Sequence, residues 1–212
     1  MGSYGKILSR SACALAVGCF MWGQAGAAGA AEVSADQIVN ALVPPPATRG
    51  LTAPEAKPMS ASEHAFVKSL RHRTRSLTFE EGEQLADVGK DWKKIDLEIY
   101  FEFNSARIAP EAEPQLNQLG AALRSPRLRN ATVILAGYTD AKGGQSFNER
   151  LSERRAEAVK RYLVERLNIS AENLDTVGYG KRHLKNPDEP YGAENRRVQI
   201  LNAPDNQSAA SR

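Results

Sequence analysis

From residue 95 the chain alternates. Ile95, Leu97, Ile99, Phe101 and Phe103 are apolar, whereas Asp96, Glu98, Tyr100 and Glu102 between them are charged or amphipathic. A period of two sends successive side chains to opposite faces, so this stretch predicts a strand over 95–103 with one buried face. Such a face needs a cover, and the following residues supply it. Pro110 suits a first helical turn, where its missing N–H costs nothing, and Leu116, Leu119 and Leu123 form an apolar stripe up to Pro126. Thr132 to Ala136 is apolar on both faces and predicts a second strand. Ser146-Phe147-Asn148-Glu149 reads as a capping box opening a helix that carries Leu151, Ala158, Val159, Tyr162 and Leu163 through about Leu167. Leu174 to Tyr179 predicts a third strand, and Arg197 to Leu201 a fourth with Val198 and Ile200 on one face. The order βαβαββ predicts an α/β fold, a mixed four-stranded sheet packed against helices as a two-layer sandwich, with first crossovers long enough to join parallel neighbours.

The N-terminal side is organised differently. Lys6 and Arg10 lead into the apolar run Ala12 to Trp22 and then the small residues Gly23 to Ala31, the layout of a secretory signal over 1–30, with cleavage after Ala30 or Ala31. The run is too short to cross a bilayer, which takes roughly 20 residues. A second fate for the same segment is lipidation at Cys19, since Leu15-Ala16-Val17-Gly18-Cys19 has the small-residue approach of a lipoprotein signal. Against it, Phe20-Met21-Trp22 continues the apolar run where a polar tether is expected.

Residues 31–62 hold a short helix opened by Ser34-Ala35-Asp36-Gln37, ended by Pro44-Pro45-Pro46, and followed by a Pro/Ala-rich linker. Residues 63–94 form a basic and helical lead-in. Lys68, Arg71, His72, Arg73 and Arg75 cluster there and read as a solvated face, and Thr78-Phe79-Glu80-Glu81 opens a helix with Leu85 and Val88 on one side. Residues 95–202 make the C-terminal domain, and 203–212 a polar tail.

Charge excludes one class of partner. The formal balance is +3, from 28 basic and 25 acidic side chains. Loss of residues 1–30 removes Lys6 and Arg10 and no acid, taking +3 to +1. No aromatics interleave with the basic cluster, so no nucleic acid is implied. Both cysteines, Cys13 and Cys19, lie in the leader. The mature chain then has neither disulfide nor thiolate metal site, and no membrane-spanning segment. His64, His72 and His183 form no ligand pattern with one another, so no metal or other cofactor is expected and the chain is not read as an enzyme.

The segment with chemical content is Gly137-Tyr138-Thr139-Asp140-Ala141-Lys142-Gly143-Gly144, between a buried strand and a helix. Loops at the carboxyl ends of parallel strands are where α/β folds place ligands. Arg155 lies one turn from both Leu151 and Val159, so its stem starts on the apolar side of the helix while its head stays charged and needs an anion. Asn148 lies two turns earlier on a similar side. Arg155 and the helix N-terminal amides favour a carboxylate, and Asp140 a neighbouring ammonium, which together describe an amino acid head group. Two plainer readings stand beside this one: Asp140 capping its own turn, and Asp140 pairing directly with Arg155.

Residues 97–201 resemble the OmpA-like peptidoglycan-binding domain. The resemblance is carried by Asn148, Leu151-Ser152, Arg155-Ala156, Val159 and Leu163 on the helix, and by Gly137-Tyr138-Thr139-Asp140 at the strand exit. Phe103-Asn104-Ser105, Gly178-Tyr179-Gly180 and Asn195-Arg196-Arg197-Val198 complete the set in order. The resemblance implies that Asp140 holds the amine, and Arg155 the carboxylate, of diaminopimelate in the peptidoglycan stem peptide. Tyr138, Thr139, Gly143, Asn148, Leu151 and Arg196 are expected to shape the pocket, with Arg196 or Arg197 bracing the loop and the other facing solvent or saccharide. The expected location is the Gram-negative periplasm, in soluble or outer-membrane-associated form. The membrane barrel that precedes this domain in well-known members does not fit between residues 31 and 90. That segment is instead expected to dock another envelope protein, and an adaptor role with wall binding secondary is the alternative function.

Overall fold

The computed structural model describes residues 32–43, 60–70, 76–102 and 104–204. The leader with Cys19, most of the linker, the cluster from Arg71 to Arg75, Phe103 and the tail from 205 lie outside the described residues.

Four strands form one sheet in the order β1-β4-β2-β3: β1 (Lys93–Leu97), β2 (Thr132–Tyr138), β3 (Leu174–Gly180) and β4 (Val198–Ala203). β2 and β3 are parallel, joined through helix α5 (Gln145–Leu167), whereas β4 runs antiparallel to both β1 and β2. The first crossover, through helix α4 (Glu113–Arg124), therefore does not join neighbours as the sequence suggested. β1 and β2 point the same way, but β4 inserts between them and completes the ladders of both.

The first strand is also shorter than its alternation predicts. Its register ends at Leu97 opposite Val198, where β4 begins, so no partner backbone remains beyond it. Burial still alternates through Ile99, and Phe101 keeps one isolated bridge to Ile108. The periodicity reports a buried face, and the ladder needs a partner as well.

The helices cover both faces. On one, α4 and α5 pack Leu116, Leu119, Leu123, Val159 and Leu163 against Leu97, Val133, Leu135, Val198 and Ile200. Helix α1 (Ala35–Leu42) joins this layer through Ile38, Val39 and Leu42. It is opened by a capping box between Ser34 and Gln37, and Gln115 fastens the chain ahead of it by accepting from Val33 N (2.7 Å) and donating to Val33 O (3.0 Å). Truncating one of the fully buried leucines here to alanine would cost about 2 to 5 kcal/mol.

The opposite face is covered by α2 (Ala61–Leu70) and α3 (Phe79–Val88), which bury Phe66, Val67, Leu70, Leu77 and Leu85 with Ile134, Ala136, Val177 and Leu201. The second coat accounts for the complete burial of β2. Phe66, Val67 and Leu70 form the apolar side of α2, while Lys68 of the basic cluster is exposed. α3 lies close enough that a Cβ on Gly82 would fall 2.9 Å from Val177 Cγ2, and Gly82 O accepts from Tyr179 Oη at 2.8 Å.

α5 approaches β2 and β3 as closely as side chains allow. A Cβ on Gly137 would lie 2.3 Å from Ser152 O, and one on Gly178 would lie 2.4 Å from Glu153 N. The motif glycines thus set the distance between helix and sheet, and so the depth at which Arg155 emerges.

Candidate functional site

The carboxyl ends of β2 and β3, the start of β4 and the turn after β1 meet at one pole of the sheet. Here α5 begins two residues earlier than a Ser146 cap requires: its N-cap is Gly144, with no side-chain cap. The reason is Asn148. Buried to 2% exposure, it donates from Nδ2 to Lys142 O at 2.9 Å and closes the loop over the helix start. Ser146 lies inside the first turn, so the predicted capping box does not form. Gly143 passes through φ 91°, a conformation that only glycine adopts without strain.

Asp140 is half-buried and uses both oxygens. Oδ1 accepts from Lys142 N at 3.0 Å, a turn closed by its own carboxylate, and Oδ2 lies 2.9 Å from Arg196 Nη1. The capping reading is therefore right for one oxygen. Direct pairing of Asp140 with Arg155 is not the arrangement found.

Arg155 is held by other groups. Its Nε donates to Ser105 O at 3.1 Å, and its guanidinium carbon lies 4.9 Å from the centroid of the Phe101 ring. It forms no ion pair with a described carboxylate, and no described residue engages the N–H groups at the end of the guanidinium. Burial depresses its pKa, the Arg196 charge depresses it further, and Asp140 opposes both. A partly desolvated cation near a second cation lies in a field that favours an anion.

The motif Asn195-Arg196-Arg197 divides into three tasks. Asn195, fully buried, donates to Asn186 O and Glu189 O and accepts from Asn186 N, which organises residues 186–195. That loop returns to the site, where Pro190 O accepts from Ala141 N at 2.8 Å. Arg196 braces Asp140, in keeping with the pairing expected of one of the two arginines. Arg197 does not face solvent or saccharide. It is buried, with its guanidinium 3.8 Å from the Tyr138 ring centroid and Nε 3.4 Å from Asp96 Oδ1.

Tyr138 belongs with Arg197 on the α3 side of the sheet, stacked on Tyr179 at 5.2 Å, and so is not turned toward Arg155 as a pocket wall. Strand parity decides this, because Tyr138 shares its face with Ile134 and Ala136. Burial pushes its hydroxyl pKa up to about 12. Thr139 is buried, its N–H donating to Gly180 O at 2.8 Å and its Oγ1 having no partner among the described residues. Leu151 is buried on the helix between Asn148 and Arg155.

Residue spacing passed over Phe101 and Ser105 as the groups that position Arg155. The signal was present in Asn104, whose φ of 51° makes the turn that brings Ser105 back to α5. Among the described residues no group of His, Cys, Asp and Glu is gathered as a metal site.

Fold and site together define a helix-covered mixed sheet whose strand-exit loops gather charged side chains at one pole. Residues 100–198 match the OmpA family model, and over this stretch the chain is similar to OmpA-like domains. Over 104 residues the chain is 40% identical to the peptidoglycan-associated lipoprotein of Pseudomonas aeruginosa, covering 48% of this chain and 60% of that protein. Over 84 residues it is 36% identical to outer membrane protein A of Escherichia fergusonii, covering 40% of this chain and 34% of that one. Among solved structures, the peptidoglycan-associated lipoprotein of Burkholderia pseudomallei aligns with a TM-score of 0.43 and 29% identity, covering 50% of this chain and 88% of that one. The matches thus span less than two thirds of these relatives from Pseudomonas and Escherichia. Among the described residues no helix is long and apolar enough to cross a membrane.

Proposed function

We propose that this protein binds peptidoglycan non-covalently through the diaminopimelate of the stem peptide and so ties or organises the bacterial envelope from the periplasm. The carrying observation is Arg155: a half-buried guanidinium, positioned by Ser105 O and the Phe101 ring, with no carboxylate partner among the described residues. It takes the carboxylate of the ligand, assisted by the uncapped first turn of α5. The ammonium goes to Asp140 Oδ2, displacing or sharing the contact with Arg196. Neutral sugars or apolar peptides would leave Arg155 without an anion, whereas an amino acid head group answers both charges.

The test is co-sedimentation of the full-length protein with purified sacculi. The wild type is expected in the pellet with a diaminopimelate wall, and Arg155→Ala and Asp140→Ala in the supernatant with unchanged far-UV spectra. Loss of one partner of a charge-assisted contact costs about 2 to 5 kcal/mol, enough to release the protein. Wall containing lysine in place of diaminopimelate lacks the carboxylate for Arg155 and is expected to bind weakly. Retention of both variants on the diaminopimelate wall would reject the proposal.

A further inference from the structure

Among the described residues the exposed large hydrophobic side chains are Tyr100, Phe147 and Tyr191, and all three lie on segments at the ligand pole. Tyr100 continues the parity of Asp96 and Glu98, away from Phe101 and Arg155, and is tied by its hydroxyl to Glu98 Oε2 at 3.1 Å. Phe147 and Tyr191 are placed otherwise.

These two rings bracket the Asp140 loop. Phe147, 40% exposed, stands in the first turn of α5, where a Cβ on Gly143 would lie 3.8 Å from its Cδ1. Its neighbour Asn148 holds Lys142 O. Tyr191, 68% exposed, follows Pro190, whose carbonyl holds Ala141 N. Both rings therefore ride on backbone that is hydrogen-bonded to the loop carrying Asp140. Neither belongs to a core cluster among the described residues.

We infer that Phe147 and Tyr191 form an aromatic rim that stacks against the sugar rings from which the stem peptide hangs, making the site a reader of glycan and peptide together. The inference rests on the peptidoglycan reading above and extends it. Geometry limits the choice of occupant. An extended peptide advances about 3.3 to 3.6 Å per residue, so a sugar a few residues from a clamped diaminopimelate would lie about 10 Å away from it. A pyranose presents one flank of C–H groups, suited to the face of an aromatic ring. The hydroxyl of Tyr191, without a partner among the described residues, suits a polar ligand rather than a protein core, and the segments that carry the two rings both hydrogen-bond to the polar loop 140–144.

The experiment is calorimetric titration of full-length protein with two soluble probes, a disaccharide-linked stem peptide containing diaminopimelate and the same peptide without sugar. The wild type is expected to bind the sugar-bearing probe about threefold to thirtyfold more tightly, as two ring contacts would give. Tyr191→Ala and Phe147→Ala should each reduce that ratio while leaving affinity for the sugar-free peptide unchanged, and Tyr191→Phe should keep most of it. Equal affinity of the wild type for the two probes overturns the inference, as does an equal loss on both probes in the alanine variants. Failure of the underlying reading shows differently: the sugar-free peptide would not bind, or would bind Asp140→Ala and Arg155→Ala as well as the wild type, and the inference would fall with it.

Discussion

Arg196 Nη1 lies 2.9 Å from Asp140 Oδ2, so the acidic half of the proposed clamp already holds a cation in the free protein. The pair is lopsided, with Arg196 47% exposed and Asp140 only 16%. The arginine can swing into water, and the aspartate cannot follow. On the proposed reading, a ligand ammonium would compete with an exposed side chain for a carboxylate already oriented by Lys142 N.

Removal of Arg196 should favour the ligand. Exposed ion pairs contribute about 0 to 1 kcal/mol, so Arg196→Gln is expected to leave the melting temperature nearly unchanged. With the resident cation gone, and its repulsion of Arg155 with it, affinity for free diaminopimelate should rise a few-fold in calorimetry. Weaker binding would instead make Arg196 a ligand contact.

Charge alone should not replace Arg155. Arg155→Lys keeps a cation but loses the planar stack on Phe101 and the Nε bond to Ser105 O. Sacculus binding is expected to fall almost as far as in Arg155→Ala. A lysine variant that binds like wild type would show that position and planarity are immaterial.

Helix-to-sheet distance should be intolerant of a methyl group. In Gly178→Ala the new Cβ meets Glu153 N at 2.4 Å and Glu149 O at 2.8 Å, contacts with backbone that no rotamer relieves. The cost is expected to be about 3 kcal/mol or more, read as a fall in the denaturant midpoint. Gly144→Ala, with nothing within 4 Å of the added atom, is the matched control and should stay near wild type.

A fragment beginning at residue 95 should fold poorly. It would lack Phe66, Val67, Leu70, Leu77, Leu85 and Trp92, and would expose Ile134, Ala136, Val177, Tyr179 and Leu201. A patch of that kind promotes aggregation. Size-exclusion chromatography of residues 95–204 beside residues 32–204 checks this, the longer fragment being the one expected to run as a sharp, soluble peak.

Alkali should destabilise the fold through Tyr138. Its pKa is raised from 10.0 to about 12, so between those values the folded protein keeps a proton that the unfolded chain has released. The stabilisation is complete below pH 10 and is lost as pH rises toward 12, amounting to roughly 2 to 3 kcal/mol. Thermal melts from pH 8 to 11.5 should fall less steeply for Tyr138→Phe than for wild type. Parallel curves would place the alkaline loss elsewhere, with Tyr179, also raised by burial, the next candidate.

Much of this was legible in residue order because it is periodic or locally capped. The leucine spacing of α4, the faces of β4 and the capping boxes at Ser34 and Thr78 each depend on neighbours within a few residues. The Ser146 cap misled for the opposite reason. Its pattern is correct locally, but Asn148 finds a better acceptor in Lys142 O once the loop is folded over it. The termination of β1 at Leu97 likewise depends on a partner strand about a hundred residues away.

Sequence by itself determined which residues carry charge at the strand exit and on the helix, because alternation and helical period assign faces without knowledge of neighbours. Only the tertiary structure decided how those charges are shared: Asp140 to Arg196, Arg155 to a carbonyl and a ring, Arg197 into the core behind Tyr138. The physical reason is that two arginines adjacent in the chain are equivalent in composition, and in an extended backbone they point to opposite sides. Which side is water and which is core was set by α3 closing over the second face of the sheet.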